Sequence, residues 1–295
     1  MRRTILLSFV ILALLATGAA ASGPLRERLR QRAKDYEAAS GMQTMTIGGL
    51  TAAYWLPAEG ASPAPLILFS HGLHGCKSQS VFLMAALAKD GYIVVAPDHK
   101  DAACGGGGFL TQKPQADFRD FAAWSDQTYR DREQDMKKLY AALKSDKDWS
   151  PRIDWDRVGL AGHSLGGYTV VGLAGAWPSW KMAGIKAVLA LSPYAQPFPE
   201  NGDLGHIDVP VMYQGGTRDI GDTPFMKKPG GIYDLTPAPA WFVDFKKTGH
   251  FGWTDLQKGS QQEIVDYSLW FFDHVLKGSD APLPQEDGVE DLRSK

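Results

Sequence analysis

Arg157-Val158-Gly159-Leu160-Ala161-Gly162-His163-Ser164-Leu165-Gly166-Gly167 decides how this chain is read. An apolar run of strand length leads into Gly-x-Ser-x-Gly, and small residues of a helix follow directly. In that strand–turn–helix setting the pattern is a nucleophile elbow, a turn so tight that it needs glycine on either side of the serine. The turn lifts a serine hydroxyl to the end of a sheet, so Ser164 is the candidate nucleophile.

Working outward, further strands and helices alternate. Met45–Ile47 and Thr51–Trp55, separated by Gly48-Gly49, read as an antiparallel hairpin. Pro65–Phe69 and Tyr92–Ala96 are continuous apolar runs, the mark of strands covered on both faces. Between them, Ser80–Lys89 suits a helix stopped by Gly91. Met136, Leu139, Tyr140 and Leu143 share one face of a second helix. Ala187–Leu191, Val209–Gln214 and Trp241–Phe245 supply the later strands. Ser260-Gln261-Gln262-Glu263 has the form of a capping box opening a final helix that ends near Lys277-Gly278. This alternation predicts an α/β fold with a mostly parallel central sheet and helices on both faces. Residues 192–208, between two strands, are too short for a large cap domain. Residues 97–129 form a long segment of the kind that is usually functional.

A serine hydroxyl needs a neighbouring base to take its proton. Of the seven histidines, only His250 and His274 lie beyond the later strands. His274 falls inside the final apolar helix, whereas His250 follows the Trp241–Phe245 strand in a loop, at the strand ends where the serine must be. The acid that orients the base is expected after a neighbouring strand. Asp219 has that position after Val209–Gln214, with Asp222 as its local rival and Asp244 set inside a strand. The preceding strand ends in Leu191-Ser192-Pro193-Tyr194, which offers no carboxylate. The developing oxyanion needs two backbone donors. Leu165 N–H is one; Leu73 N–H, in His71-Gly72-Leu73-His74-Gly75, is the second, with His74 N–H behind it. His71 and His163 are read as hydrogen-bonding residues of the surrounding loops.

These stretches, with Ser70–Gly75, Gly91–His99, Gly162–Gly167 and Gly249-His250-Phe251, resemble the α/β-hydrolase superfamily. Within it they are similar to the dienelactone-hydrolase-like branch that includes platelet-activating-factor acetylhydrolases and polyester hydrolases of the cutinase type. The resemblance covers roughly residues 44–277. It implies a cofactor-free, metal-free carboxylic ester hydrolase working through an acyl-enzyme. Ser164 stands where dienelactone hydrolases have cysteine. The acetylhydrolases tend to carry their acid one strand earlier, so the acid here looks more like the polyester-hydrolase arrangement. The expected substrate is a small or polymeric ester. A peptidase or amidase on the same triad, or a lipase-type acetylhydrolase acting on phospholipid, is the alternative. A non-catalytic binding protein is expected to lack one of the three side chains, and none is missing.

The ends of the chain carry other signals. Arg2-Arg3, the apolar Ile5–Leu15 core and Ala19-Ala20-Ala21 have the pattern of a secretory signal peptide, too short to span a membrane stably. The expected product is exported, to the periplasm or beyond. Residues 22–43 are a charged, helix-prone lead-in, 44–278 the catalytic domain, and 279–295 a polar, loose tail. A net charge of −2, from 31 basic and 33 acidic residues without a basic stripe, argues against a nucleic-acid partner. The two cysteines, Cys76 and Cys104, each follow a strand end and are expected to pair in an exported protein. Trp124, Tyr194, Trp253 and Trp177–Trp180 are candidate cleft walls, with core positions the equal alternative.

Overall fold

The computed structural model describes residues 23–58, 63–103 and 113–295; the signal-peptide segment and Cys104 lie outside them. A nine-stranded sheet runs in the order β1-β2-β4-β3-β5-β6-β7-β8-β9. Its parallel centre is β4 (Ile93–Pro97), β3 (Ala64–Ser70), β5 (Ile153–His163), β6 (Ala187–Leu191), β7 (Val211–Gly216) and β8 (Ala240–Phe245). The hairpin of β1 (Gln43–Ile47) and β2 (Leu50–Trp55) adds antiparallel to β4 at one edge. At the other edge β9 (Val289–Ser294) adds antiparallel to β8.

Alternate side chains of β3 enter opposite layers. Leu66 and Leu68 join α3 (Arg130–Ser145) and α4 (Leu165–Val171) on one face. Ile67 and Phe69 join α2 (Val81–Lys89) and α5 (Gln261–Leu276) on the other. This explains the unbroken apolar runs: a strand buried on both faces has no solvent side. All seven residues of β3 and all five of β4 are buried. The lead-in is α1 (Gly23–Ala39), a helix as expected. Among the described residues no helix is long and apolar enough to cross a membrane. Nor do the described residues form a large cap over the sheet.

Two expectations are corrected. Residues 279–295 do not form a loose tail, because β9 pairs with β8 from Trp241↔Ser294 to Phe245↔Val289. The capping box does not close: the Ser260 hydroxyl bonds to the Thr248 hydroxyl and makes no cap to α5. Of the aromatic positions read equally as cleft wall or core, Trp124 and Trp177 border a surface pocket with Asp126 and Asn201. Trp124, Trp177, Trp180, Tyr194 and Trp253 are all buried, and Trp124, Tyr168 and Tyr194 pack ring against ring.

Candidate active site

Parallel strands place their carboxyl ends along one rim, and ligands meet an open α/β sheet there. The loops after β3, β5, β6, β7 and β8 all contribute to this site. Ser164, between β5 and α4, has φ 55° and ψ −118°, a conformation that non-glycine residues rarely adopt. Its neighbours explain how it is held. A Cβ on Gly162 would stand 2.2 Å from the Gly166 carbonyl oxygen, and one on Gly166 would stand 1.9 Å from that of Ser70. The glycines of the motif are therefore required by backbone packed on backbone.

Ser164 Oγ lies 2.9 Å from His250 Nε2. On the other side of the ring, Asp219 Oδ1 is a hydrogen-bond partner of Nδ1 at 3.3 Å. Asp222 Oδ2 makes an ion-pair contact with the same nitrogen at 3.2 Å. Both rival carboxylates thus converge on one atom. Asp219 is the deeper, with 3% of its side chain exposed against 11% for Asp222.

Ser192, which follows β6, was not anticipated. Its hydroxyl donates to Asp219 Oδ2 and lies 3.0 Å from His250 Nδ1. It occupies the position one strand before Asp219, where the sequence carries no carboxylate. Asp222 is held differently, its Oδ1 accepting from Gln196 Nε2 at 2.9 Å. Burial lowers the basicity of His250, but hydrogen bonds and charge from Asp219 and Asp222 outweigh it and raise its pKa to about 9.

His163 anchors the His250 loop. Its Nε2–H donates to the His250 carbonyl at 2.8 Å, and its Nδ1 accepts from Gln79 Nε2 at 3.0 Å. Burial, reinforced by the neighbouring His250, pushes the pKa of His163 down to about 3, so the ring stays neutral. Gln79 Oε1 in turn accepts from Gly72 N–H at 2.9 Å. One polar chain thereby joins the loop after β3, the elbow and the His250 loop.

Gly72 lies against the elbow: a Cβ there would stand 3.4 Å from Ser164 Cβ. The next amide, Leu73 N–H, has no hydrogen-bond partner among the described residues, whereas His74 N–H faces Asp101 Oδ2 at 3.4 Å. Leu165 opens α4 directly after Ser164, so its N–H is one of the donors a helix start leaves without an internal partner. His71 is structural, accepting from His99 N–H on Nε2 and donating from Nδ1 to Gly72 O.

The remaining candidates lie apart. His274 stacks on Trp270 and bonds to the Ser279 carbonyl. Asp244 Oδ2, within β8, pairs with Lys227 at 2.6 Å. Donor atoms of Asp219, Asp222 and His250 lie within 4.8 Å of one another, the spacing of a metal site. These groups already engage Ser192, Gln196 and each other.

The chain has an α/β-hydrolase fold. The family model for platelet-activating factor acetylhydrolase, isoform II, matches residues 51–143, from β2 through most of α3. The matched stretch ends before Ser164, so the grouping of Ser164, His250 and the aspartates stands on geometry alone. No curated protein matches the chain.

Proposed function

We propose that this protein is an exported serine esterase. The observation that carries the reading is the contact chain from Ser164 Oγ through His250 to Asp219, at the ends of β5, β8 and β7. Ser164 Oγ attacks the ester carbonyl as His250 Nε2 takes its proton. Leu73 and Leu165 amides receive the oxyanion. The tetrahedral intermediate collapses, its alkoxide leaving as the alcohol with the proton from Nε2. Water, activated by the same nitrogen, then hydrolyses the acyl-enzyme and releases the acid. Asp219 holds Nδ1–H and stabilises the imidazolium, with Ser192 keeping the carboxylate in place.

The similarity to the acetylhydrolase family supports ester hydrolysis. Ile220 and Phe251, the residues next to Asp219 and His250, are 82% and 49% exposed. They offer an apolar rim to the acyl or alcohol part of a short-chain ester. Export rests on the composition of residues 1–21. A Cys76–Cys104 disulfide belongs to the same proposal.

A fluorophosphonate probe tests the reading. It is expected to label the wild-type protein once, at Ser164, and to leave Ser164→Ala unlabelled. Hydrolysis of p-nitrophenyl butyrate by folded Ser164→Ala should fall by several orders of magnitude. Unlabelled wild type, or turnover retained by Ser164→Ala, overturns it.

A further inference from the structure

Beneath the loop after β3 lies a buried charged cluster that the proposed reaction does not use. Arg132, from α3, is fully buried. Its Nη1 donates to His71 O at 2.6 Å and its Nη2 to Gly72 O at 3.1 Å. Asp101 accepts from the same Nη2 through both carboxylate oxygens, at 3.0 and 2.7 Å. Gly72 O also accepts from His71 Nδ1–H at 2.7 Å. His71 is kept in that tautomer because its Nε2 accepts from His99 N–H at 3.0 Å. His99 in turn faces Asp135 at 3.0 Å and Ser70 Oγ at 2.9 Å.

We propose that Arg132 is a positioning residue for the oxyanion site, clamping the 71–73 backbone so that Leu73 N–H is held toward the substrate. A trans peptide is planar, so its carbonyl and its N–H point to opposite sides. Two donors fix Gly72 O on the buried side, and Leu73 N–H in the same plane must then face away from them. The preceding peptide is fixed likewise, with His71 O on Arg132 and Gly72 N–H on Gln79. Of the three successive amides from Gly72 to His74, only Leu73 N–H is left without a partner among the described residues. Asp101 contributes by holding Arg132 and by facing His74 N–H. Arg132 itself touches no reacting atom.

A donor fixed before the reaction stabilises the transition state without reorganising. Loosening it should therefore spare ground-state binding. The inference rests on the esterase reading, and its test separates the two. Arg132→Gln, Arg132→Lys and Asp101→Asn are compared with wild type using p-nitrophenyl butyrate. Two inhibitors of one skeleton are added: a trifluoromethyl ketone, which forms a tetrahedral oxyanion adduct, and the methyl ketone, which binds as a carbonyl.

Loss of one oxyanion donor lowers kcat by about 10²–10³, so misalignment in Arg132→Gln should lower kcat by roughly 10- to 100-fold with KM little changed. Trifluoromethyl ketone affinity should fall in parallel and methyl ketone affinity should hold, with Arg132→Lys recovering part of both losses. Asp101→Asn, nearly isosteric and at the edge of the cluster, should show the same selective pattern more weakly. It carries the test if the Arg132 variants do not fold. Unchanged kcat and trifluoromethyl ketone affinity in the folded variants overturns the proposal. So does equal loss of both ketones, which marks a general collapse of the site. If wild type resists the fluorophosphonate probe, the esterase reading itself fails and the clamp falls with it.

Discussion

At Nδ1 of His250 three oxygens converge, from Asp219, Asp222 and Ser192. A catalytic base must be neutral to accept a proton, and these partners favour the charged ring. Because the pKa of His250 is raised to about 9, kcat/KM should climb with pH through that value rather than level off above the ordinary histidine range near 6.5. Asp222→Asn removes one negative charge, so the acid limb should move to lower pH with modest loss of plateau rate. Asp219→Asn removes the deeper partner and should lower kcat by about 10⁴, the scale seen when a triad histidine loses its orienting carboxylate. A pH–rate profile of each variant checks both statements, and a crippling loss in Asp222→Asn alone exchanges the roles. The same raised pKa stabilises the folded state below the ordinary histidine range. That contribution fades as pH rises to about 9.

At the scale of elements, β9 has the clearest consequence. It covers the free edge of β8, and Arg293 ties it inward through the Lys227 carbonyl and the Phe242 ring. Ending the chain at Asp287 should expose that edge and remove several hydrogen bonds, each with a net worth of about 1 kcal/mol. A lowered urea midpoint is expected, together with a greater tendency to associate through the open edge. An unchanged midpoint shows that β9 contributes nothing to stability. The strand was not legible from composition: half of Val289-Glu290-Asp291-Leu292-Arg293-Ser294 is charged. Edge strands tolerate charge because solvent reaches them, and only the neighbouring β8 gives this one a partner. The closing helix shows the converse. Ser260 and Glu263 have the spacing of a capping box, but Thr248 takes the Ser260 hydroxyl instead.

For the whole molecule, the β6–β7 connection is too short to form a cap domain, and the described residues place none over the strand ends. We expect turnover of soluble short-chain esters without interfacial activation, measured as rate against concentration across the substrate's aggregation threshold. A sharp rise only above that threshold indicates a lid and a lipase. The proposed Cys76–Cys104 bond joins the loop after β3 to the segment after β4. Closing about 30 residues, it should add roughly 3–4 kcal/mol in the chain-entropy model. Reduction should therefore lower both stability and activity, and two alkylations of denatured, unreduced protein overturn the pairing.

The sequence by itself determined the strand–turn–helix at Ser164, the parallel buried strands and the choice of His250. These are local signals: glycines at a tight turn, runs without a polar face, and a histidine directly after a strand. Tertiary structure decided what local patterns do not encode. Asp219 and Asp222 both precede His250 by a plausible distance in the chain, and only folding shows that both reach the same nitrogen. Ser192 reads as a neutral turn residue until β6 and β7 pair and set it between Asp219 and His250. Arg132 reads as one more charge on a helix rich in them. It becomes the buried anchor of the 71–73 loop because α3 packs under that loop, where carbonyl oxygens and Asp101 replace the water that Nη1 and Nη2 would lose, while Nε is left without a partner among the described residues.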